Sequence, residues 1–197
     1  MPLAVGIEHW GGVVPDIITT AKGMASGYVP LGGVTVNDRI KKAFIESKSP
    51  FIHGYTFSAN PACCAAGSEV LKIIKEEGLV GKVAEMEEFF FEQGRSLLQS
   101  QVIGDVRGKG LFMGVEVVKN SETKEPFPPQ ARAIRKLFDI CFEDQIIIYQ
   151  CNGSINGVKG DHFLVCPPFT STKDAIAAYF KGLRGAISRF EHAVAKE

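Results

Sequence analysis

Two helical stretches set back to back around a single glycine divide this sequence more sharply than any other feature. Ala62 through Lys75 repeats small and apolar positions at helical spacing, and Gly78 is a natural stop for that run. A second amphipathic run then extends from about Leu79 to Leu98. The texture of the chain differs on the two sides of this pair, so a domain boundary is expected close to it.

Upstream, Asp16-Ile17-Ile18-Thr19-Thr20-Ala21 is short, β-branched and preceded by Pro15, which predicts a buried strand with Lys22 at its C-terminal end. Gly23 to Gly33 holds too many glycines for a helix and leads into a second short strand, Val34 to Val36. Asn37 or Asp38 is expected to cap a helix reaching about Ser47, followed by a loop from Ser49 to Pro61. Downstream of Val102, the runs VIGDVRGKG, LFMGVEVV, IIIYQ and HFLVCPP read as strands broken by turns. One helix is expected between them, about Pro129 to Glu143, and a last one over about Lys173 to Ala193, opened by Ser171 or Thr172. This half is an α+β pattern, a small sheet with helices on one face.

Composition narrows the partners. Lys+Arg and Asp+Glu are both 22, so no net field favours nucleic acid or a membrane surface, and a small polar metabolite is the expected ligand. No segment approaches the roughly 18 apolar residues of a membrane span and the first residues lack a secretory pattern, so a cytoplasmic protein is expected. The five cysteines, with Cys63 and Cys64 adjacent, form no CxxC pair and read as reduced small hydrophobes. His9, His53, His162 and His192 are scattered without metal-ligand spacing, and Ser26 in GMASGY lacks the spacing of a hydrolase elbow.

Three places could carry chemistry. Lys22, at a strand end between Ala21 and Gly23, is positioned to face a cleft, although a lone lysine at a strand edge is more often solvated surface. The loop Phe51 to Pro61 offers hydroxyls and N–H groups before a helix, which suits an anion; the alternative is that Ser58 or Asn60 merely caps that helix. Arg107, in DVRGKGL, could grip a carboxylate bidentately, or simply pair with Asp105.

In collinear order, PDIITTAKGMASGYVPLGG (Pro15 to Gly33), HGYTFSANPACCAAG (His53 to Gly67), VRGKGLFMGVEV (Val106 to Val117) and GDHFLVCPPF (Gly160 to Phe169) resemble class III, fold-type I pyridoxal-phosphate aminotransferases. The resemblance implies an α/β fold, with residues 1–78 as the C-terminal part of the cofactor-binding large domain and 79–197 as a small α+β C-terminal domain. It implies pyridoxal 5′-phosphate as cofactor and Lys22 as the Schiff-base lysine, which acts again as the proton carrier. Thr56 matches a threonine that contacts the cofactor phosphate in the neighbouring subunit of a dimer. Arg107 resembles an arginine that in some members holds the substrate carboxylate. An amino donor and a keto-acid acceptor are the implied substrates, exchanged by ping-pong transamination.

The chain also departs from the family pattern. The phosphate loop, the aromatic residue stacked on the cofactor and the acidic partner of the pyridine nitrogen, which precede the lysine strand in that family, are not in this sequence. The expectation is therefore a C-terminal half that works as a homodimer or with a chain supplying the N-terminal half. Two alternatives are a non-catalytic remnant keeping the dimer surface as an interaction protein, and an aminomutase or decarboxylase using the same lysine.

Overall fold

The computed structural model describes residues 11–48 and 50–195. It divides into two compact units, Met1–Val80 and Gly81–Glu197. The first contains strand β1 (Ile17–Thr20), strand β2 (Gly33–Val36), helix α1 (Asp38–Ser47) and helix α2 (Pro61–Glu76). Helix α3 (Leu79–Arg95) opens at the boundary, and the second unit holds β3 (Ile103–Lys109), β4 (Phe112–Val117), α4 (Ala133–Glu143), β5 (Tyr149–Cys151), β6 (Asp161–Val165) and α5 (Lys173–Val194).

In the first unit β1 and β2 form an antiparallel pair, Ile17 opposite Val36 and Thr20 opposite Gly33. Its helices start where short polar side chains satisfy orphan N–H groups: Asn37 accepts from Ile40 N and Asn60 from Cys63 N, each at 3.1 Å. Pro61 follows Asn60 in the first helical turn, where its missing N–H costs nothing. The expected buried strand is not buried. Ile17 is 55% exposed, because among the described residues β1 is paired along one edge only and no helix covers its outward positions. Within this unit only Ala25, Gly67 and Leu79 are buried among the described residues.

The core lies in the second unit. Its sheet is antiparallel throughout, in the order β3-β4-β6-β5. Met113, Val115 and Val117 on β4, with Phe163 and Val165 on β6, point to one face and pack against buried residues of α3, α4 and α5. The alternation is the period of two expected of a half-covered sheet. The helices answer with a period near 3.6: Ala133, Ile134, Leu137 and Cys141 are buried on α4, and Ile176, Phe180, Leu183, Ile187 and Phe190 on α5. Thr172 caps α5 by accepting from Ala175 N. Helix α4 has no side-chain cap of its own, and the carboxylate of Asp161 on β6 takes the Ile134 N–H instead.

Two expected boundaries move. The helix read from Pro129 breaks into a 3-10 turn, Pro129–Ala131, and α4 beginning at Ala133, with Arg132 between them in the left-handed region at φ 48°. The helix read to Leu98 ends at Arg95 and tightens into a 3-10 turn, Ser96–Gln99.

A bulge in β3 decides what faces outward. Ile103 pairs with Val117, yet Asp105 pairs with Glu116, so Gly104 is an extra residue in the ladder. Without it the period of two would send Asp105 inward beside Ile103. With it, Asp105 and Arg107 join Glu116 on the uncovered face.

Candidate active site

Lys22 opens a single 3-10 turn, Lys22–Ala25, one residue beyond the end of β1. The turn is closed by Met24 N donating to Ala21 O at 3.1 Å and Ser26 N to Gly23 O at 3.1 Å. Thr20 Oγ1 lies 3.3 Å from Met24 Sδ, which ties the strand end to the turn. Ala25 is fully buried, and Gly67 of α2 lies so near Leu31 that a Cβ there would collide with the leucine side chain. A small residue at that point of α2 is what allows the Gly23–Gly33 loop to lie close against it. The glycine-rich stretch thus includes a short helical turn that its composition did not suggest.

The Lys22 backbone is left-handed, with φ 49°. Its side chain is exposed and its amine forms no hydrogen bond or ion pair among the described residues. Expected shielding by a buried strand is therefore absent within this chain, because β1 itself is open.

Thr56 lies in a tight turn on the N-terminal side of α2. Tyr55 N donates to Ser58 Oγ at 2.8 Å, and Ser58 N returns to Tyr55 O at 2.9 Å. These bonds, with the Asn60 cap, consume the N–H groups of Tyr55, Ser58 and Cys63, so Ser58 and Asn60 serve the loop and the helix start. The Thr56 hydroxyl is exposed and unbonded among the described residues. Both Lys22 and Thr56 are thus anchored to α2, one through Ala25 and Gly67, the other through Asn60.

Arg107 belongs to the second unit. Its guanidinium pairs with Asp105 and Glu116, each at 2.6 Å, and the two carboxylates hold it charged beyond its ordinary range. Its register partner is Gly114, which presents no side chain against it. Pairing with Asp105 was foreseeable from a spacing of two along one strand. Glu116 was missed, although a hairpin read from the strand runs would have brought β4 alongside.

Two of the remaining histidines make local hydrogen bonds. His162 Nδ1 lies 2.8 Å from Ser154 Oγ, and His192 Nδ1 donates to Ser188 O at 2.7 Å. His9 lies outside the described residues. Among the described residues no group of three His, Cys, Asp or Glu side chains could hold a metal ion, and no helix is long and apolar enough to cross a membrane. All five cysteines are free; Cys141 is fully buried and its thiol is pushed up to about 12, chiefly by burial.

The chain resembles several known proteins. An uncharacterized aminotransferase of Schizosaccharomyces pombe is 34% identical over 178 residues, covering 90% of this chain but 39% of that protein. The crystal structure of a transaminase from the marine bacterium Virgibacillus superimposes with a TM-score of 0.88 at 29% identity, covering 96% of this chain and 42% of the other. An amine transaminase from an uncultivated Pseudomonas species, solved in its PLP-bound internal aldimine form, gives a TM-score of 0.83 at 32% identity over 95% of this chain and 41% of its own. The chain therefore spans about two fifths of the relatives it matches. The family model for class-III aminotransferases matches residues 4–187, and the chain belongs to that family.

Proposed function

We propose that this chain is the C-terminal part of a pyridoxal-phosphate-dependent aminotransferase, with residues 1–78 contributing to the cofactor site and residues 79–197 forming the small domain. The observation that carries the reading is the amine of Lys22: unpaired, held on a short turn at the end of β1, in a chain of class-III aminotransferase sequence. An unpaired primary amine is the group a carbonyl cofactor needs, and the unbonded Thr56 hydroxyl is a donor suited to a phosphate oxygen.

Lys22 would hold the cofactor covalently through Nζ and, once an amino substrate displaces it, carry a proton at the same atom. Its turn fixes where Nζ starts, since Ala25 is buried against α2 while Lys22 projects outward. Thr56 would bind the phosphate, reaching a second copy of the chain across a dimer. When bound, pyridoxal phosphate supplies the electron sink for the carbanion formed at the substrate Cα. Arg107 would receive a substrate carboxylate, which has to compete with Asp105 and Glu116 for the same guanidinium; donors with a free carboxylate therefore depend on how readily that pair yields. An amino acid or amine as donor and a keto acid as acceptor complete the proposal.

The test is covalent capture. Incubating the chain with pyridoxal phosphate, reducing with borohydride and mapping peptides is expected to place the pyridoxyl group on Lys22, and Lys22→Ala is expected to lose it. Label distributed over other lysines at comparable yield, unaffected by Lys22→Ala, would sink the assignment.

A further inference from the structure

An aromatic ladder leads from α1 to the turn that bears Thr56. Phe44 on α1 meets Phe51 edge-on with ring centroids 5.6 Å apart, Phe51 meets His53 at 5.9 Å, and His53 meets Tyr55 at 4.9 Å. Phe51, His53 and Tyr55 are alternate residues, so an extended backbone sets them on one side of the segment. The last rung is more than a ring contact: His53 Nε2 and the Tyr55 hydroxyl share a hydrogen bond of 2.7 Å.

Tyr55 is therefore fastened twice. Its side chain is held by His53, and its backbone by the reciprocal pair with Ser58, at 2.8 Å and 2.9 Å. Thr56 is the next residue, and its own side chain has no partner among the described residues. Its direction is set by the turn alone, and the turn is set by Tyr55 and Ser58. The far end of the ladder is fixed as well, because Asn37 at the start of α1 and Arg39 within it bind Asp16 beside β1.

We propose that His53 is a positioning residue, whose hydrogen bond to Tyr55 orients the Thr56 turn for a phosphate monoester. This rests on the reading of Thr56 as a phosphate ligand. The imidazole makes no contact with the phosphate in this scheme; it acts through Tyr55. A phenyl ring in place of the imidazole keeps the edge-to-face contacts and loses the hydrogen bond, so His53→Phe isolates the bond from the ladder.

The first measurement is amide exchange in the 197-residue chain, comparing wild type, His53→Phe, Tyr55→Phe and the double variant. Each single variant is expected to speed exchange at the Tyr55 and Ser58 amides by roughly fivefold, the worth of one ordinary hydrogen bond, and the double by no more than either single. Unchanged rates in both single variants would overturn the proposal. The second compares binding of pyridoxal phosphate with pyridoxal, which lacks the phosphate. His53→Phe is expected to weaken only the former, by roughly fivefold, and to add nothing in a Thr56→Ala background. If Thr56→Ala removes the phosphate preference and His53→Phe does not touch it, the positioning role is refuted while the Thr56 assignment stands. If Thr56→Ala leaves the preference intact, or wild type shows none, the Thr56 assignment fails and the phosphate role of His53 goes with it.

Discussion

Gly108 and Gly94 meet the same residue, Met113, and should respond very differently to a methyl group. A Cβ on Gly108 would land on the carbonyl oxygen of Phe112 and 3.0 Å from Met113 Cα, both backbone atoms of the paired strand β4. Neither can rotate away, so relief requires β3 and β4 to part at the Gly108–Met113 pair. That sacrifices one or two ladder hydrogen bonds at about 1 kcal/mol each and loosens Met113, which is fully buried, so Gly108→Ala is expected to cost about 2–4 kcal/mol. A Cβ on Gly94 would meet the Sδ and Cε of Met113, the far end of a three-rotor side chain, and Val106 Cγ1 at 3.2 Å. Met113 can repack, and alanine gains about 1 kcal/mol over glycine inside a helix, so Gly94→Ala should end within about 1 kcal/mol of wild type. For a unit of this size about 1 kcal/mol moves Tm by roughly 4 °C. Gly108→Ala should then lower Tm by roughly 10 °C, and Gly94→Ala by no more than a few degrees. Thermal unfolding followed by far-UV circular dichroism, with amide exchange of β3 and β4, measures both. A Gly108→Ala protein within about 3 °C of wild type, or a larger drop for Gly94→Ala, would refute the backbone-against-side-chain reasoning.

Asp161 and Cys141 give two further tests. Burial raises the Asp161 carboxyl above its ordinary value, outweighing the Ile134 N–H that it accepts and the neighbouring His162. The fold therefore holds the proton more tightly than the unfolded chain does, so the cost of the ionised form is full above the raised value and vanishes as pH falls below the ordinary one. Asp161→Asn, which keeps an acceptor for α4, should match or exceed wild-type stability at pH 7 and lose any advantage near pH 3. Asp161→Ala should lose about 1 kcal/mol near pH 3 and less at pH 7, where it too escapes the cost of the ionised form, and urea melts showing Asn and Ala equally destabilised would remove the capping role. Cys141, fully buried with its thiol near 12, presents roughly one thiolate in ten thousand at pH 8, whereas Cys64 is exposed. Iodoacetamide followed by peptide mapping should modify Cys64 first and Cys141 only after denaturation; comparable rates would mean that α4 does not stay packed.

What could be read from the chain, and what could not, follows from the range of the forces involved. Helix starts were legible to within one residue, as Asn37 or Asp38 and Ser171 or Thr172, because a cap is a contact between residues three apart, and the half-covered sheet was legible because alternation on β4 and β6 repeats within each strand. Burial of β1 was misjudged because β-branched residues report a preference for strand, whereas exposure depends on which elements pack against it. The break at Arg132 is local but subtle: Pro128 and Pro129 favour a tight turn first, and α4 starts only after a left-handed residue. Arg107 shows the limit most clearly. Its type and its nearness to Asp105 were visible in the sequence, but its second carboxylate was not, because Glu116 reaches it only through a cross-strand register that one extra residue, Gly104, sets. The same bulge keeps Asp105 out of a core in which, among the described residues, every buried side chain is apolar. A glycine with no chemistry of its own thus determines both that the second unit can close its core and that Arg107 stands on the open face with two carboxylates, the arrangement any substrate carboxylate would have to displace.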